Sequence, residues 1–383
     1  MKSQPIYLDN AATTPLDGEV LTAMLPFMKE TFGNPSSTYS VGRMSRMGVE
    51  AARKKVAQLL GVTPMSIFFT SGGTESNNTA ISSAIRDLGC THIITSPIEH
   101  HAVLHTAEYY SHINRIPLSL VALTNDGEVN YEDLENQLKE LSFSDHKPLV
   151  SLMHANNEIG ALLDLVRVGR LCKQYNAIFH SDCVQTVGHY PLNLLESGVH
   201  FISAAGHKFH GPKGIGILYV HNDLQIQPLI YGGGQERNVR AGTENVYGIV
   251  GFAKALELAM NDYEQDRKHI AHLKAYLKQN LVKAIPGISF NSPENSLYTV
   301  LSVCFPKLPN SESLLLELDM AGVCVSGGSA CSSGDDTGSH VIKALGKSHD
   351  CNTIRFSFGK YNTIEEIDNV ITILQGILQL PLV

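Results

Sequence analysis

The sequence is short of charge. Asp, Glu, Lys and Arg make up 17% of its 383 residues, against about 25% in an ordinary soluble domain. A large interior, a buried subunit interface or both are therefore expected. The charge present leans acidic, with 37 Asp and Glu against 29 Lys and Arg. That balance argues against nucleic acid as an obligate partner, because phosphate backbones are held by clustered Lys and Arg. No apolar run is long enough for a membrane span. The opening MKSQPIYLDNAATTP lacks the apolar stretch of a secretory leader. Internal repeats and low-complexity stretches are also missing. The seven cysteines form no CxxC pair, so neither a zinc knuckle nor a disulfide framework is expected. A reducing, cytoplasmic setting is the expectation, with each cysteine either core filler or a single reactive thiol.

Apolar residues, at 43%, are enough for a sizeable core. Between Met65 and Val220, strand-length apolar runs alternate with helical patterns: SIFFT (66–70), HIIT (92–95), PLVSLM (148–153), AIFHSD (177–182) and GIGILYV (214–220). Uninterrupted apolar strands with helical crossovers predict an α/β fold with a mostly parallel sheet covered by helices on both faces. Ligands in such folds bind at the carboxyl ends of the strands. After about Asn245 come two long helical segments and a smaller α+β region, whose last helix opens with Thr363 and Glu366 as a capping box. The expected division is a large domain over 15–258, with 1–14 and 259–383 forming a small one.

Some motifs tempt and fail. LGKS (345–348) would need its first P-loop glycine at Val341, and GGGQER has Arg237 where a dinucleotide fingerprint needs glycine. His101 and His105 share a helix face, but among 17 histidines without an HExxH pattern they specify no metal site. No metal is required.

Other residues converge. In FFTSGGTESNN (68–78) a strand runs through two glycines to Thr74 and a helix, which on its own reads equally as an anion cup of backbone amides or as a capped helix after a tight turn. The strand AIFH leads to Asp182 at its carboxyl end, with Gln185 beyond. Lys208 follows 26 residues after Asp182, in GHKFHGPKG. A lysine in a crevice beside a carboxylate and a phosphate cup is the natural Schiff-base lysine of a pyridoxal phosphate (PLP) enzyme. The Asp would keep the pyridine nitrogen protonated. Arg355, in TIRFSFGK, suits the α-carboxylate of an amino acid through two parallel hydrogen bonds; an ion pair within the chain is its other reading. Cys331 sits in SGGSACSSGDD (326–336), a Gly/Ser run that cannot pack a core. It is the one cysteine that reads as an accessible thiol, and it points to sulfur transfer.

With these residues in view, the sequence resembles the cysteine desulfurases of the NifS/IscS type, in the class V aminotransferase branch of fold type I PLP enzymes. The likeness runs almost end to end: YLDNAATTP (7–15), GNPSS (33–37), SGGTES, EHHAVL (99–104), HANNEIG (154–160), SDCVQ, GHKFHGPKG, RAGTEN (240–245), SGGSACSSG and IRFSFG. The resemblance implies that Lys208 forms the Schiff base and shuttles protons, that Asp182 pairs with the pyridine nitrogen, and that Gln185 and Asn157 lie by the phenolic oxygen. His100 would stack on the ring and take part in acid–base steps. Gly73, Thr74, Ala205, Gly206 and His207 would surround the phosphate, with Thr243 donated by the partner subunit of a homodimer. Asn34, Asn157 and Arg355 would bind the carboxylate of L-cysteine. Cys331 would be the nucleophile that takes the sulfur as a persulfide, and a role as transient iron–sulfur ligand stays open. Ala205 departs from the family's usual Ser, so a slightly weaker hold on PLP is expected. The implied activity is L-cysteine to L-alanine, with sulfur passed to an acceptor protein such as an iron–sulfur scaffold or a tRNA-thiolation carrier. Selenocysteine lyase, a class V aminotransferase and a non-catalytic scaffold homologue are the alternatives.

Overall fold

The first strand, β1 (Ile6–Tyr7), is followed by a seven-stranded sheet built from β2 (Ile67–Thr70), β3 (His92–Thr95), β4 (Leu118–Leu120), β5 (Pro148–Ser151), β6 (Ile178–Asp182), β7 (Phe201–Ala205) and β8 (Gly216–Val220). The computed structural model describes residues 5–307, 311–327, 338–347 and 351–380. Strand order is β2-β8-β7-β6-β5-β3-β4. β4, β3, β5, β6 and β7 run parallel. β8 is antiparallel to both β7 and β2, so β2 points the same way as the parallel set. The carboxyl ends of six strands therefore share one rim. β4 and β7 were not expected from the sequence, because FISAA and LSL are short and weakly patterned.

The strand side chains alternate between two cores, which is why the apolar runs are unbroken. Ile67, Phe69, Ile217 and Tyr219 pack with helices Gly18–Lys29, Ser40–Leu59 and Val246–Asn261. Phe68, Leu218 and Val220 pack with helices Gly73–Arg86 and His101–Asn114 on the other face. A third core gathers the helices Tyr263–Ala284 and Ile364–Ile377 against a three-stranded sheet of β9 (Ser289–Phe290), β10 (Val300–Phe305) and β12 (Asn352–Ser357). β1 pairs in parallel with β11 (Val323–Cys324), returning the N-terminal residues to this C-terminal α+β part. The Thr363–Glu366 capping box forms. Among the described residues no helix is long and apolar enough to cross a membrane.

The cysteine reading needs a correction. Cys304 and Cys351 form a disulfide with Cα atoms 5.4 Å apart. Antiparallel pairing sets Cys304 opposite Thr353, two residues from Cys351, and a separation of 47 residues hides that proximity in the sequence.

Two polar contacts lock the frame. Arg53 is 2% exposed and makes a two-pronged ion pair with Glu236, both bonds 2.8 Å, while Glu236 also accepts the Phe69 amide. This holds three consecutive non-glycine residues, Glu236, Arg237 and Asn238, at positive φ (43°, 56° and 67°), a conformation that costs free energy at each position. Replacing Glu236 with Ala leaves the buried Arg53 guanidinium only Glu50 and the Ile67 carbonyl as partners. The expected loss is about 3 kcal/mol, read as a lowered urea midpoint; an unchanged midpoint would refute the locking role.

The second contact joins the N-terminal segment to the C-terminal part. Asp17 accepts hydrogen bonds from Lys360 and Tyr361, each 2.7 Å, and from the Glu19 amide at 2.8 Å. Burial alone would raise its carboxyl pKa. These bonds and the Lys360 charge together outweigh burial, and the group ends well below the ordinary carboxylate range. Because the folded value is depressed, Asp17 contributes stability that is fully present above the unfolded value of about 4 and is lost as pH falls below it. The difference in urea midpoint between wild type and Asp17→Asn should thus stay constant from pH 7 to 5 and shrink in more acidic solution. A difference that already varies between pH 7 and 5 would assign the effect to another group.

Candidate active site

The rim of strand ends opens into a cavity of about 390 Å³. β2 delivers the chain to Gly72, at φ 155°, a conformation open to glycine alone. The helix Gly73–Arg86 starts there, so its first amides face the cavity beside Thr74. A Cβ on Gly73 would come within 2.5 Å of the Val184 side chain; glycine is what lets the helix start sit against β6. His207 and the methyl of Ala205 complete this corner. The His207 Nδ1 lies 3.1 Å from Thr13 Oγ1, leaving its other ring nitrogen for a ligand. Burial, with Lys208 and Lys213 nearby, lowers its pKa to about 4, so it is neutral.

β6 ends on Asp182, 5% exposed. Its Oδ1 accepts the Val184 amide at 2.9 Å and its Oδ2 accepts Asn77 Nδ2 at 2.6 Å. β7 ends in the one-turn helix Gly206–Lys208. From it the Lys208 ammonium reaches back across the rim to the carbonyls of Ala11, at 2.5 Å, and Ala12, at 2.9 Å. Gln185 Nε2 also donates to the Ala11 carbonyl, at 3.0 Å.

His100 caps the helix His101–Asn114, its Nδ1 accepting the Ala102 amide at 3.0 Å. That bond places the ring proton on Nε2. Burial lowers its pKa against the upward pull of Asp182, with Lys208 adding to the lowering, so the neutral ring is favoured. Next to it Glu99 is 1% exposed and accepts Ser96 Oγ and the Met153 amide. Burial pushes its carboxyl up to about 8, which leaves it uncharged at neutral pH.

Arg355, on β12, lines the same cavity and is 1% exposed. Nη1 donates to the Asn157 carbonyl at 2.9 Å and Nη2 to Asp9 Oδ1 at 2.6 Å. The ion pair weighed as the alternative reading thus exists, yet two of five N–H donors do not exhaust a guanidinium. Its Nε is buried without a partner.

Ten of the expected residues line this one cavity: Gly73, Thr74, His100, Asn157, Asp182, Gln185, Ala205, His207, Lys208 and Arg355. Gly206 is packed behind it, where a Cβ would meet Phe252 and the Pro212 carbonyl at 3.1 Å. Asn34 is exposed and accepts the Ser36 amide; it does not line the cavity. Thr243 is exposed, beside a separate cavity of about 130 Å³ lined by Arg240, Glu244 and Gly242. Cys331 lies outside the described residues. Of the described residues on either side of it, Ser326 exchanges backbone hydrogen bonds with Arg355. His340 lines the cavity and bonds the Glu99 carbonyl at 2.8 Å, and Ser339 Oγ donates to Glu158 Oε2.

Sequence reasoning missed Asn77, Asp9, Met153, Glu158 and His340. Asn77 had a signal, standing one helical turn past Thr74 on the same face. The others come together only through the tertiary fold.

Comparison with known proteins agrees with this geometry. The sequence model of the class V aminotransferase family, "Aminotransferase class-V", matches residues 6–370. The chain therefore belongs to that family of PLP-dependent enzymes. It is 42% identical over 379 residues to the cysteine desulfurase IscS of Dictyoglomus turgidum, covering 98% of this chain and 94% of the relative. It is also 42% identical over 384 residues to the IscS of Methanosarcina thermophila, covering 99% and 93%. Among solved structures, a NifS-like protein superposes with a TM-score of 0.88 at 38% identity, over 98% of this chain and all of the other. SspA in complex with cysteine superposes at 0.82 with 30% identity, over 94% and 100%. Within the class V family, the chain belongs with the IscS/NifS-type proteins named as cysteine desulfurases.

Proposed function

We propose that this chain binds PLP in the 390 Å³ cavity and converts L-cysteine to L-alanine, with the sulfur passing to Cys331. The observation that carries the reading is the convergence of Lys208, Asp182, His100 and Arg355 on one cavity. The donor set fits the cofactor. Helix amides, Thr74 and a neutral His207 suit a phosphate, and the buried Asp182 carboxylate, oriented by Asn77, suits a pyridinium N–H. Gln185 and Asn157 would lie by its phenolic oxygen, and His100 against its ring. Bound PLP would supply an electron sink that labilises bonds of an amino acid joined to it.

The remaining work falls to the protein. Arg355 orients the substrate carboxylate with the donors left over from Asp9 and Asn157. Lys208 takes the proton from the substrate α-carbon and later returns one to it, and His100, with its proton on Nε2, gives or takes one at the sulfur. The Cys331 thiolate attacks the substrate sulfur. The carbon–sulfur bond breaks, a sulfur–sulfur bond forms, and the carbon takes up a proton, so cysteine plus a thiol becomes alanine plus a persulfide. The sulfane sulfur then passes to an acceptor protein, for which an iron–sulfur scaffold is our first choice.

A homodimer with Thr243 reaching the partner's phosphate site belongs to the same reading. It is supported by the exposed apolar side chains Leu21, Leu25, Met28, Met44 and Met47 on the helices Gly18–Lys29 and Ser40–Leu59, and by the low overall charge. We place the enzyme in the cytoplasm.

The test is to incubate the purified holoprotein with L-cysteine and limiting reductant, then take peptide masses alongside an alanine assay. One extra sulfur on the Cys331 peptide, with alanine formed, is expected. PLP bound but neither product formed would overturn the reading. Amino-group transfer to a keto acid without sulfur on Cys331 would make this an aminotransferase, and a faster reaction with selenocysteine would make it a selenium lyase.

A further inference from the structure

Lys208 also lines a second and much smaller cavity, which shares Ala11 and Gln185 with the 390 Å³ one. It measures about 30 Å³, room for roughly two water molecules. Residues from the sheet and from the C-terminal α+β part wall it together, among them Lys208, His189, Phe209, Tyr298 and Phe358.

Lys208 ends a one-turn helix, and such an end leaves carbonyls for side chains to satisfy. His189 does so: its Nε2 donates to the Lys208 carbonyl at 2.9 Å. The chain turns at Gly188, with φ 81°, to aim this ring. A Cβ there would meet the Phe209 ring at 2.6 Å, so only glycine lets His189 approach so closely. Burial lowers the His189 pKa despite its bond to Lys208; the ring is neutral, with one proton, and the bond places that proton on Nε2. Tyr298, just before β10, is 7% exposed. Its hydroxyl donates to the His189 carbonyl at 3.0 Å and lies 3.4 Å from His189 Nδ1. The Tyr298 ring packs edge-on against His189 and at a tilt against Tyr190. A chain of contacts thus runs from the C-terminal part through Tyr298 and His189 to the main chain of the lysine.

We propose that His189 and Tyr298 are positioning residues for Lys208, setting its Schiff-base geometry and linking that geometry to the seating of the C-terminal α+β part. The inference rests on the PLP reading above and goes beyond it. Neither residue touches the substrate, so their effect has to travel through the Lys208 backbone. Binding of L-cysteine should be little altered, while proton transfer by Lys208 should slow.

The test uses the PLP-loaded protein and follows the visible absorbance of the bound cofactor against pH, together with kcat and KM for L-cysteine. In His189→Ala the absorbance midpoint should move by at least about half a pH unit, and kcat should fall by about 10- to 100-fold with little change in KM. His189→Gln keeps an N–H donor near the Nε2 position and should recover most of both. Tyr298→Phe keeps the ring and removes one hydrogen bond, so it should show a smaller shift in the same direction. A wild-type titration and kcat in both His189→Ala and Tyr298→Phe would overturn the proposal, even with a lowered melting temperature. If His189→Ala does not fold, Tyr298→Phe decides alone. A wild-type protein that holds PLP but gives no pH-dependent band would instead overturn the Schiff-base reading on which this one rests.

Discussion

Replacing Lys208 with Ala is expected to abolish conversion of L-cysteine and the visible band of lysine-bound PLP, with the fold retained. The side chain is asked to form the covalent link to the cofactor and to take up and return the proton of the substrate α-carbon. Loss of a positioned proton-transfer group alone costs about 10²–10⁴-fold, and loss of the covalent link adds to it. Structurally the change is mild. The ammonium lines an open cavity and donates to the Ala11 and Ala12 carbonyls, which water can satisfy in its absence. Thr14 still holds the His207 carbonyl and His189 the carbonyl of residue 208, since these bonds are to the main chain. Circular dichroism and the melting temperature should stay close to wild type while turnover disappears. Normal turnover by the variant would remove Lys208 from the mechanism.

Replacing Cys331 with Ala is expected to separate the cofactor chemistry from the sulfur chemistry. PLP absorbance should be retained, because the ten lining residues are untouched. Sulfur should no longer appear on the protein or reach an acceptor. The physical argument is that no other described thiol is placed to substitute. The nucleophile has to be a thiolate. Cys90 and Cys183 are buried at 2% and 0% exposure, and burial pushes both thiols up to about 12. Cys172 is buried and raised in the same way. Cys324 is half-buried, and burial with the nearby Asp319 and Asp9 raises it too. Cys304 and Cys351 are paired with each other. Peptide masses after exposure to L-cysteine would decide. Undiminished alanine and sulfide production would show that Cys331 is idle, leaving desulfuration to some other acceptor of the substrate sulfur.

The mixture of what was readable and what was not follows from the range of each interaction. Apolar runs such as IFFT and IFHSD are local, and a strand buried on both faces leaves no polar alternation, so the parallel sheet and its ligand-binding rim were legible before any coordinates. The anion cup was legible for the same reason, since two glycines, a threonine and a helix start lie within a few residues. The Thr363–Glu366 cap spans a single turn. By contrast, β8 is reversed against its neighbours, and nothing local marks GILYV as antiparallel. FISAA was passed over because its weak apolar signal becomes a strand only between β6 and β8.

At the site, Thr74, Asp182, Gln185, Lys208, Arg355 and Cys331 were named from their types and immediate surroundings and the other candidates only through the family resemblance, but their partners were not. Asp182 was identified; Asn77, 105 residues away in sequence, was not. Arg355 was identified; that Asp9 shares its guanidinium was weighed only as an unspecified ion pair, because β1 and β12 meet through β11 and the isolated Asp9–Ser357 pairing. The disulfide was missed outright, since it depends on a register between β10 and β12. By itself the sequence determined the class of fold, and it is the source of the proposed cofactor chemistry and of the side chains proposed to carry it, since each of those is written in short runs of residues. The tertiary structure alone decided which of those side chains share one cavity, what holds each of them, and that the backbone of Lys208 is braced by His189 and Tyr298, because those are contacts between residues far apart in the chain that exist only once the sheet and its helices have packed.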